Sequence, residues 1–236
     1  MSNPFLEQHS LPPFSRIQPT HVEPAIRHLI ERNKQRIDEL LASVDDYRWD
    51  NLLQPIEELD DELSRAWSPV SHLNSVCNSD ELREAYNACL PLLSDYGTWV
   101  GQHSGLCAAY QQIADSNAFD TLDTAQRKSI ELALRDFRLA GVDLPADKKS
   151  QYGELQQRLS KLGSTFGENV LDATNAWSRQ VTKEELSGLP DTALASARQA
   201  AAQAGQEGYL INLEFPSLSP VLNYCDNRAL REEVYT

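Results

Sequence analysis

From Thr20 to Thr174, apolar residues recur three and four positions apart in one segment after another. That period is the 3.6-residue repeat of an α-helix packed on one face. Ile26, Leu29, Ile30, Ile37, Leu40, Leu41 and Val44 form one stripe. Leu52, Leu53, Ile56, Leu59, Leu63, Ala66 and Trp67 form a second. Leu82, Ala85, Tyr86, Cys89, Leu93 and Tyr96 form a third. A helix with one apolar stripe must bury it, and several such helices bury their stripes on each other.

The local signals set the boundaries. Thr20 and Glu23 have capping-box spacing, as do Asn78 and Glu81, so helices are predicted to open near Thr20 and at Asn78 or Ser79. Ser68-Pro69 is expected to interrupt the second helix, and Pro91 to kink the third. Gly97, Gly101 and Gly105 recur every four residues. They fit either a glycine face that admits a neighbouring helix or a helix that breaks near Gly101. Two more helices are predicted, Thr124–Leu139 stopped by Gly141, and a long spine over Asp147–Thr174. Tyr152, Leu155, Leu159, Leu162, Phe166, Val170 and Ala173 are its predicted buried stripe, with Gly163 and Gly167 serving packing.

The ends read differently. Residues 1–19 hold four of the twelve prolines. They are predicted to form an extended arm that lies on the body through Phe5, Leu6, Leu11 and Phe14. After residue 174 the period shortens. Trp177, Arg179 and Val181 alternate with polar residues, and Tyr209, Ile211, Leu213 and Phe215 share one face of a predicted strand. A lone strand leaves its backbone unpaired, so these two segments are predicted to pair antiparallel. Short helices are expected near Lys183–Leu186, over Thr192–Ala204 and over Asn227–Tyr235, the last opened by Asp226. This last helix reaches Thr236 without a C-cap, which reads as a cut inside an element. Leu222, Tyr224, Leu230 and Val234 are then expected to stay partly uncovered.

The fold class is therefore mostly α, a multi-helix lobe with one small antiparallel β pairing. It divides into the arm 1–19, a helical domain 20–174 and a mixed strand and helix segment 175–236.

The formal net charge is −14. So negative a surface repels nucleic-acid phosphates and anionic lipid, so neither is expected as a partner. No stretch has the length of a membrane span, and the start lacks a basic segment followed by an apolar run. Cys77, Cys89, Cys107 and Cys225 form no C-x-x-C pair and are read as reduced thiols, with Cys89 and Cys107 in the core. A cytoplasmic location is expected.

Chemistry has few places to reside. A helical zinc peptidase needs His-Glu-x-x-His, two metal ligands one turn apart around a general base. No two of His9, His21, His28, His72 and His103 are four apart. His21 and His28 are two turns apart, and surface or cap roles fit all five. Glu57 to Glu62 is a solvated helix face, because consecutive carboxylates on a helix point in different directions. No G-x-S-x-G elbow and no Gly-rich phosphate loop occur. No catalytic, cofactor-binding or metal residue is assigned.

Several segments, in order, carry a likeness. They include Leu11-Pro12-Pro13-Phe14, Pro19-Thr20-His21-Val22-Glu23-Pro24-Ala25, and Ser68 to Val76 followed by Leu82-Arg83-Glu84-Ala85-Tyr86. Thr98 to His103, Ala133 to Phe137, Asn169 to Thr174 and Tyr224 to Glu233 continue it. Together they resemble the N-terminal third of bacterial members of the thimet-oligopeptidase family of zinc peptidases. The resemblance implies a two-lobed helical body with a channel that admits short peptides, and a role in degrading cytosolic peptides, including cleaved signal peptides. It implies zinc in the full-length family, held far downstream by His-Glu-Phe-Gly-His and a later glutamate, in a catalytic lobe absent from this chain. What is present would form one wall of the channel. The alternative is a free-standing helical peptide-binding or interaction module without catalysis.

The chain alone is expected to bind no stoichiometric zinc and to cut no peptide. Metal analysis of the purified chain and a quenched fluorescent peptide assay check this. Bound zinc together with chelator-sensitive cleavage contradicts it.

Overall fold

The computed structural model of the chain describes residues 3–7 and 9–236. Among these lie nine α-helices and one two-stranded sheet, so the mostly helical fold class holds. The chain divides into two compact units, one through Gly163 and one over Ser164–Thr236.

In the first unit, α1 (Pro19–Ser43), α2 (Gln54–Val76) and α3 (Asp80–Gly101) bury one cluster. Val22, Ile26, Leu29, Leu63, Val70, Leu82 and Cys89 are its members. A second cluster joins Ile37 and Leu40 of α1 to Ile56 of α2, to Leu106 and Ile113 of α4 (Ser104–Ala114) and to Ile130 and Phe137 of α5 (Thr124–Leu139). The first three predicted stripes thus bury one another.

Boundaries follow local chemistry with corrections. The start of α1 is Pro19, not a Thr20 cap; proline's fixed φ suits the first helical position. The His21 ring then accepts from the Gln18 backbone N–H at 3.3 Å. Ser79 caps α3 by accepting from Leu82 N–H at 3.2 Å. Pro69 does not interrupt α2, which runs on to Val76. A proline inside a helix costs about 3 kcal/mol, and here Ala66, Pro69 and Val70 are all buried around it. Helix α5 has the predicted bounds. Asp123 caps its start, and Gly141 follows its end at φ +80°, where a side chain would be strained.

The arm makes two short 3₁₀ turns, Pro4–Leu6 and Phe14–Arg16. Phe5 packs on the α1–α2–α3 cluster, and Asn3 Nδ2 donates to the His21 carbonyl at 2.8 Å. Leu11 is 78% exposed.

The helix that begins at Asp80 breaks at Gly101, and α4 starts anew at Ser104. Gly101 also admits a close approach. A Cβ there would sit 2.7 Å from Ala140 Cβ, while Gly97 has nothing within 4 Å.

The long helix α6 (Ala146–Ala176) forms as predicted, but its stripe does not bury. No residue of α6 is buried, and Leu155, Leu159, Leu162, Phe166 and Val170 are 50–72% exposed. Within the first unit its inner face is Lys149, Tyr152, Gly153, Gln156 and Ser160, all half-buried. Lys149 Nζ donates to the Gln102 carbonyl at 3.5 Å, and Gln157 Nε2 to Asp95 Oδ1 at 2.5 Å. The polar face has taken the inside because α3 offers it polar and small groups. Gly163 and Gly167 likewise pack on nothing within 4 Å.

In the second unit, β1 (Ser178–Val181) pairs antiparallel with β2 (Tyr209–Asn212), Val181 opposite Tyr209. The pairing is as predicted, but β2 stops four residues in. Asn212 N–H donates to the Ser217 hydroxyl and its side chain accepts from Glu214 N–H, turning the chain into α8 (Phe215–Tyr224). Pro216 suits that first turn. Lys183–Leu186 forms turns rather than a helix, held by i to i+3 bonds such as Leu186 N–H to Lys183 O. Helix α7 (Asp191–Gln203) and α9 (Arg228–Tyr235, capped by Asn227) complete the unit. Its core is Val181, Leu186, Ile211, Val221, Cys225, Leu230 and Val234. Leu230 and Val234 are therefore covered, against expectation, because β2 and α8 supply the surface they need. Tyr224 is exposed, as expected.

Gly101→Ala is expected to destabilise the chain by about 1–3 kcal/mol, since Ala140 cannot step aside without moving backbone. Gly97→Ala, with open space, should gain up to about 1 kcal/mol from helix propensity. Urea unfolding of both variants checks the opposite signs.

Candidate functional site

The first unit holds a buried polar node in an otherwise apolar interface. Asn33 falls on the apolar stripe of α1, between Ile30 and Ile37, and is fully buried. Its Nδ2 donates to the Leu59 carbonyl of α2 at 3.0 Å, and its Oδ1 accepts from Arg32 at 3.1 Å. Arg32 also pairs with Glu62 at 2.6 Å. Nearby, Tyr96 of α3 donates its hydroxyl to Asp60 Oδ1 at 3.2 Å. Desolvation pushes the Tyr96 phenol above its ordinary range, and Asp60's charge adds to that shift. Crowding by protein atoms raises the Asp60 carboxyl, and the Tyr96 hydrogen bond opposes the shift. Asp60 as a residue stays exposed, so water screens much of this.

A second feature of this unit is an open groove of about 1440 Å³ between the arm and the α1–α2 pair. Phe5, Leu11, His28, Arg32, Glu58 and Arg65 are among its walls. The acidic face of α2 lies along it, with Glu57, Glu58, Asp61 and Glu62 exposed, as a solvated face should be.

The histidines occupy separate places. His21 and His103 are helix caps, the latter accepting from Leu106 N–H at 3.1 Å. His103 Nε2 lies 3.5 Å from Asp38, and its ring meets Trp99 edge-on at 4.9 Å. Lys34 caps the Trp99 ring at 5.4 Å. His72 leans on Phe14, and His9 lies 3.4 Å from Glu7. Among the described residues no three or more His, Cys, Asp or Glu converge as a metal-ligand group.

Two of the thiols are held away from the thiolate form. Burial pushes the Cys89 thiol up to about 12, and Cys107 upward as well. Cys225 is buried in the second unit, where its thiol reaches the Glu185 carbonyl at 3.3 Å. In that unit Arg179 bridges Glu185 and Glu233, tying β1 to α9. These contacts hold structure; none sets a nucleophile beside a base. Sequence reasoning passed over Asn33, whose signal is a polar residue in register with an apolar stripe, and the Tyr96–Asp60 contact spans 36 positions and had no sequence signal.

Residues 26–149 match the family model described as Neurolysin/Thimet oligopeptidase, N-terminal domain. The chain belongs to the thimet oligopeptidase family. It is 52% identical to Oligopeptidase A of Escherichia coli over 236 residues, all of this chain and 35% of that protein. It is 35% identical to Probable cytosolic oligopeptidase A of Arabidopsis thaliana, over 99% of this chain and 34% of the relative. Dipeptidyl carboxypeptidase of Salmonella typhimurium is 26% identical, over 99% of this chain and 35% of the relative. The chain thus spans about a third of the length of these relatives. No helix among the described residues is long and apolar enough to cross a membrane.

Asp60 gives a pH signature. A carboxyl raised in the folded state binds its proton more tightly there than in the unfolded chain. Its contribution to stability is full below the unfolded value of about 3.9 and is lost as pH rises through the folded value. Asp60→Asn keeps an acceptor for Tyr96 and removes that loss. The variant should melt above the wild type at pH 7, with the gap closing as pH falls toward about 4. Melting curves across that range check it, and an unchanged gap contradicts it.

Proposed function

We propose that the chain is the non-catalytic N-terminal portion of an oligopeptidase A-like zinc metallo-endopeptidase that degrades short cytosolic peptides. The observation that carries this is the end-to-end 52% identity to a protein named Oligopeptidase A of which the chain spans 35%. In this reading the chain forms one wall of a channel for short peptides, cleaved signal peptides among them. Zinc and its ligands belong to the catalytic lobe, which is the chain's partner. Nucleic acid and membrane are not partners, in keeping with the net charge of −14. The cytoplasm is the proposed compartment, and the Arabidopsis relative is named as cytosolic.

A second reading is a free-standing helical module that binds peptides without cutting them. It draws on the second unit, whose core closes over Leu230 and Val234 with residues of this chain alone.

The test is a chimaera in which this chain replaces the matched segment of Escherichia coli Oligopeptidase A. It should cleave a quenched fluorescent peptide, and a chelator should abolish that cleavage. A soluble, metal-loaded chimaera without cleavage overturns the proposal, and peptide binding by the chain alone would favour the second reading.

A further inference from the structure

The break between α3 and α4 is built around one side chain. His103 is the N-cap of α4, and its Nδ1 accepts from the Leu106 N–H at 3.1 Å. Serine, threonine, asparagine and aspartate are the ordinary choices at such a position. An imidazole differs from them in two ways: it reaches further, and it is the side chain that changes charge near neutral pH. The reach is used. Nε2, on the far side of the ring, lies 3.5 Å from Asp38 Oδ1, so the ring spans from the first turn of α4 to α1. The ring also has a fitted place. Trp99 of α3 meets it edge-on at 4.9 Å, and a Cβ on Gly105 would come within 3.1 Å of its Cε1 and 3.3 Å of its Nδ1. The His103 side chain is 19% exposed and that of Asp38 65%. The charged groups around the ring come from two helices. Asp38 and Lys34 belong to α1, the latter with its Nζ over the Trp99 ring, and Lys149 of α6 donates to the neighbouring Gln102 carbonyl. The residues of α3 and α4 in contact with it, Trp99, Gly105 and Leu106, carry no charge.

We infer that His103 is a proton-operated latch between α1 and the first turn of α4. The cap needs a bare Nδ1, which puts the proton of the neutral ring on Nε2, facing Asp38. A second proton goes to Nδ1. There it meets the Leu106 N–H, and two donors cannot bond each other. The new positive charge also sits at the positive end of α4 and on the Lys34 side of Trp99. In return, the Nε2–H contact to Asp38 becomes charge-assisted. Water reaches Asp38, so that attraction is screened, whereas the cap is lost outright. The protonated ring therefore stays with α1 and releases α4. The sign follows: the cap is present while the ring is neutral and is lost as pH falls through the ring's titration. Leu106 belongs to the core cluster shared by α1, α2, α4 and α5, so a looser first turn of α4 is felt in that core.

Amide exchange read by NMR on the whole chain, from about pH 8 to about pH 5, tests the latch across the range in which imidazoles titrate. Each rate is divided by that of an unstructured peptide at the same pH. The Leu106 amide should lose about fivefold of its protection on acidification, the effect of one lost cap. The Gln126 amide, capped by Asp123 at 2.8 Å, is the internal reference and should keep its protection. His103→Asn keeps an acceptor at the cap and cannot be protonated, so its Leu106 protection should be flat across the range. Asp38→Asn removes the partner of the protonated ring and should move the midpoint of the Leu106 change to lower pH. The nitrogen shifts of the wild-type ring give a readout that needs no variant: at the alkaline end Nδ1 should be bare and Nε2 protonated. A proton on Nδ1 at the alkaline end overturns the latch. So does an equal loss at Gln126, a His103→Asn variant as pH-dependent as the wild type, or a midpoint that Asp38→Asn leaves in place or raises. Should His103→Asn fail to fold, the ring shifts and Asp38→Asn decide the matter by themselves.

Discussion

The buried amide of Asn33 fixes how the first unit is assembled. Helix α1 belongs to both of that unit's cores, with Val22, Ile26, Leu29 and Ile30 in one and Ile37 and Leu40 in the other. Asn33 sits at the join, fully buried, and donates to the Leu59 carbonyl of α2. A buried amide left without partners costs about 1–3 kcal/mol. Sliding α1 by a turn along α2 would incur that cost while keeping apolar residues in contact, since the stripes repeat. The apolar period alone leaves the two helices several near-equivalent registers, and the Asn33 bond distinguishes one of them. Tyr96 and Asp60 do the same between α3 and α2, at the edge where water still reaches.

Where several local signals agreed, the sequence was read to the residue. Helix α5 has its period, its Asp123 cap and its Gly141 stop pointing to the same bounds, and those bounds are observed. Where one local rule stood alone, packing overrode it. Pro69 sits inside α2 because Ala66 and Val70 are buried beside it, and Pro220 sits inside α8, a helix the strand pattern had hidden. The Tyr209–Phe215 alternation was genuine for four residues. The side chains of Asn212 and Ser217 then ended it with bonds that a face-by-face count does not see. The cap histidines His21 and His103 were within reach of sequence reasoning. The groove under the arm was not, because it depends on where Pro4 to Pro13 come to rest.

Two errors about exposure share one cause. Periodicity tells which face of a helix is apolar and says nothing of which face the rest of the chain will cover. For α9 a count of remaining residues implied too little surface, yet Val181, Ile211 and Val221 already formed a socket for Leu230 and Val234. For α6 the length and regularity of the stripe implied burial. However, α3 presents Asp95, Thr98 and the Gln102 carbonyl, groups that match the Lys149–Gln157 side instead. An amphipathic helix has two faces to satisfy, and along the first unit the polar one lies inward, where hydrogen-bond partners are at hand. The apolar one then pointed outward with five large side chains and two bare glycines. A helix oriented by its polar face is stable in isolation only to the extent that water tolerates the other.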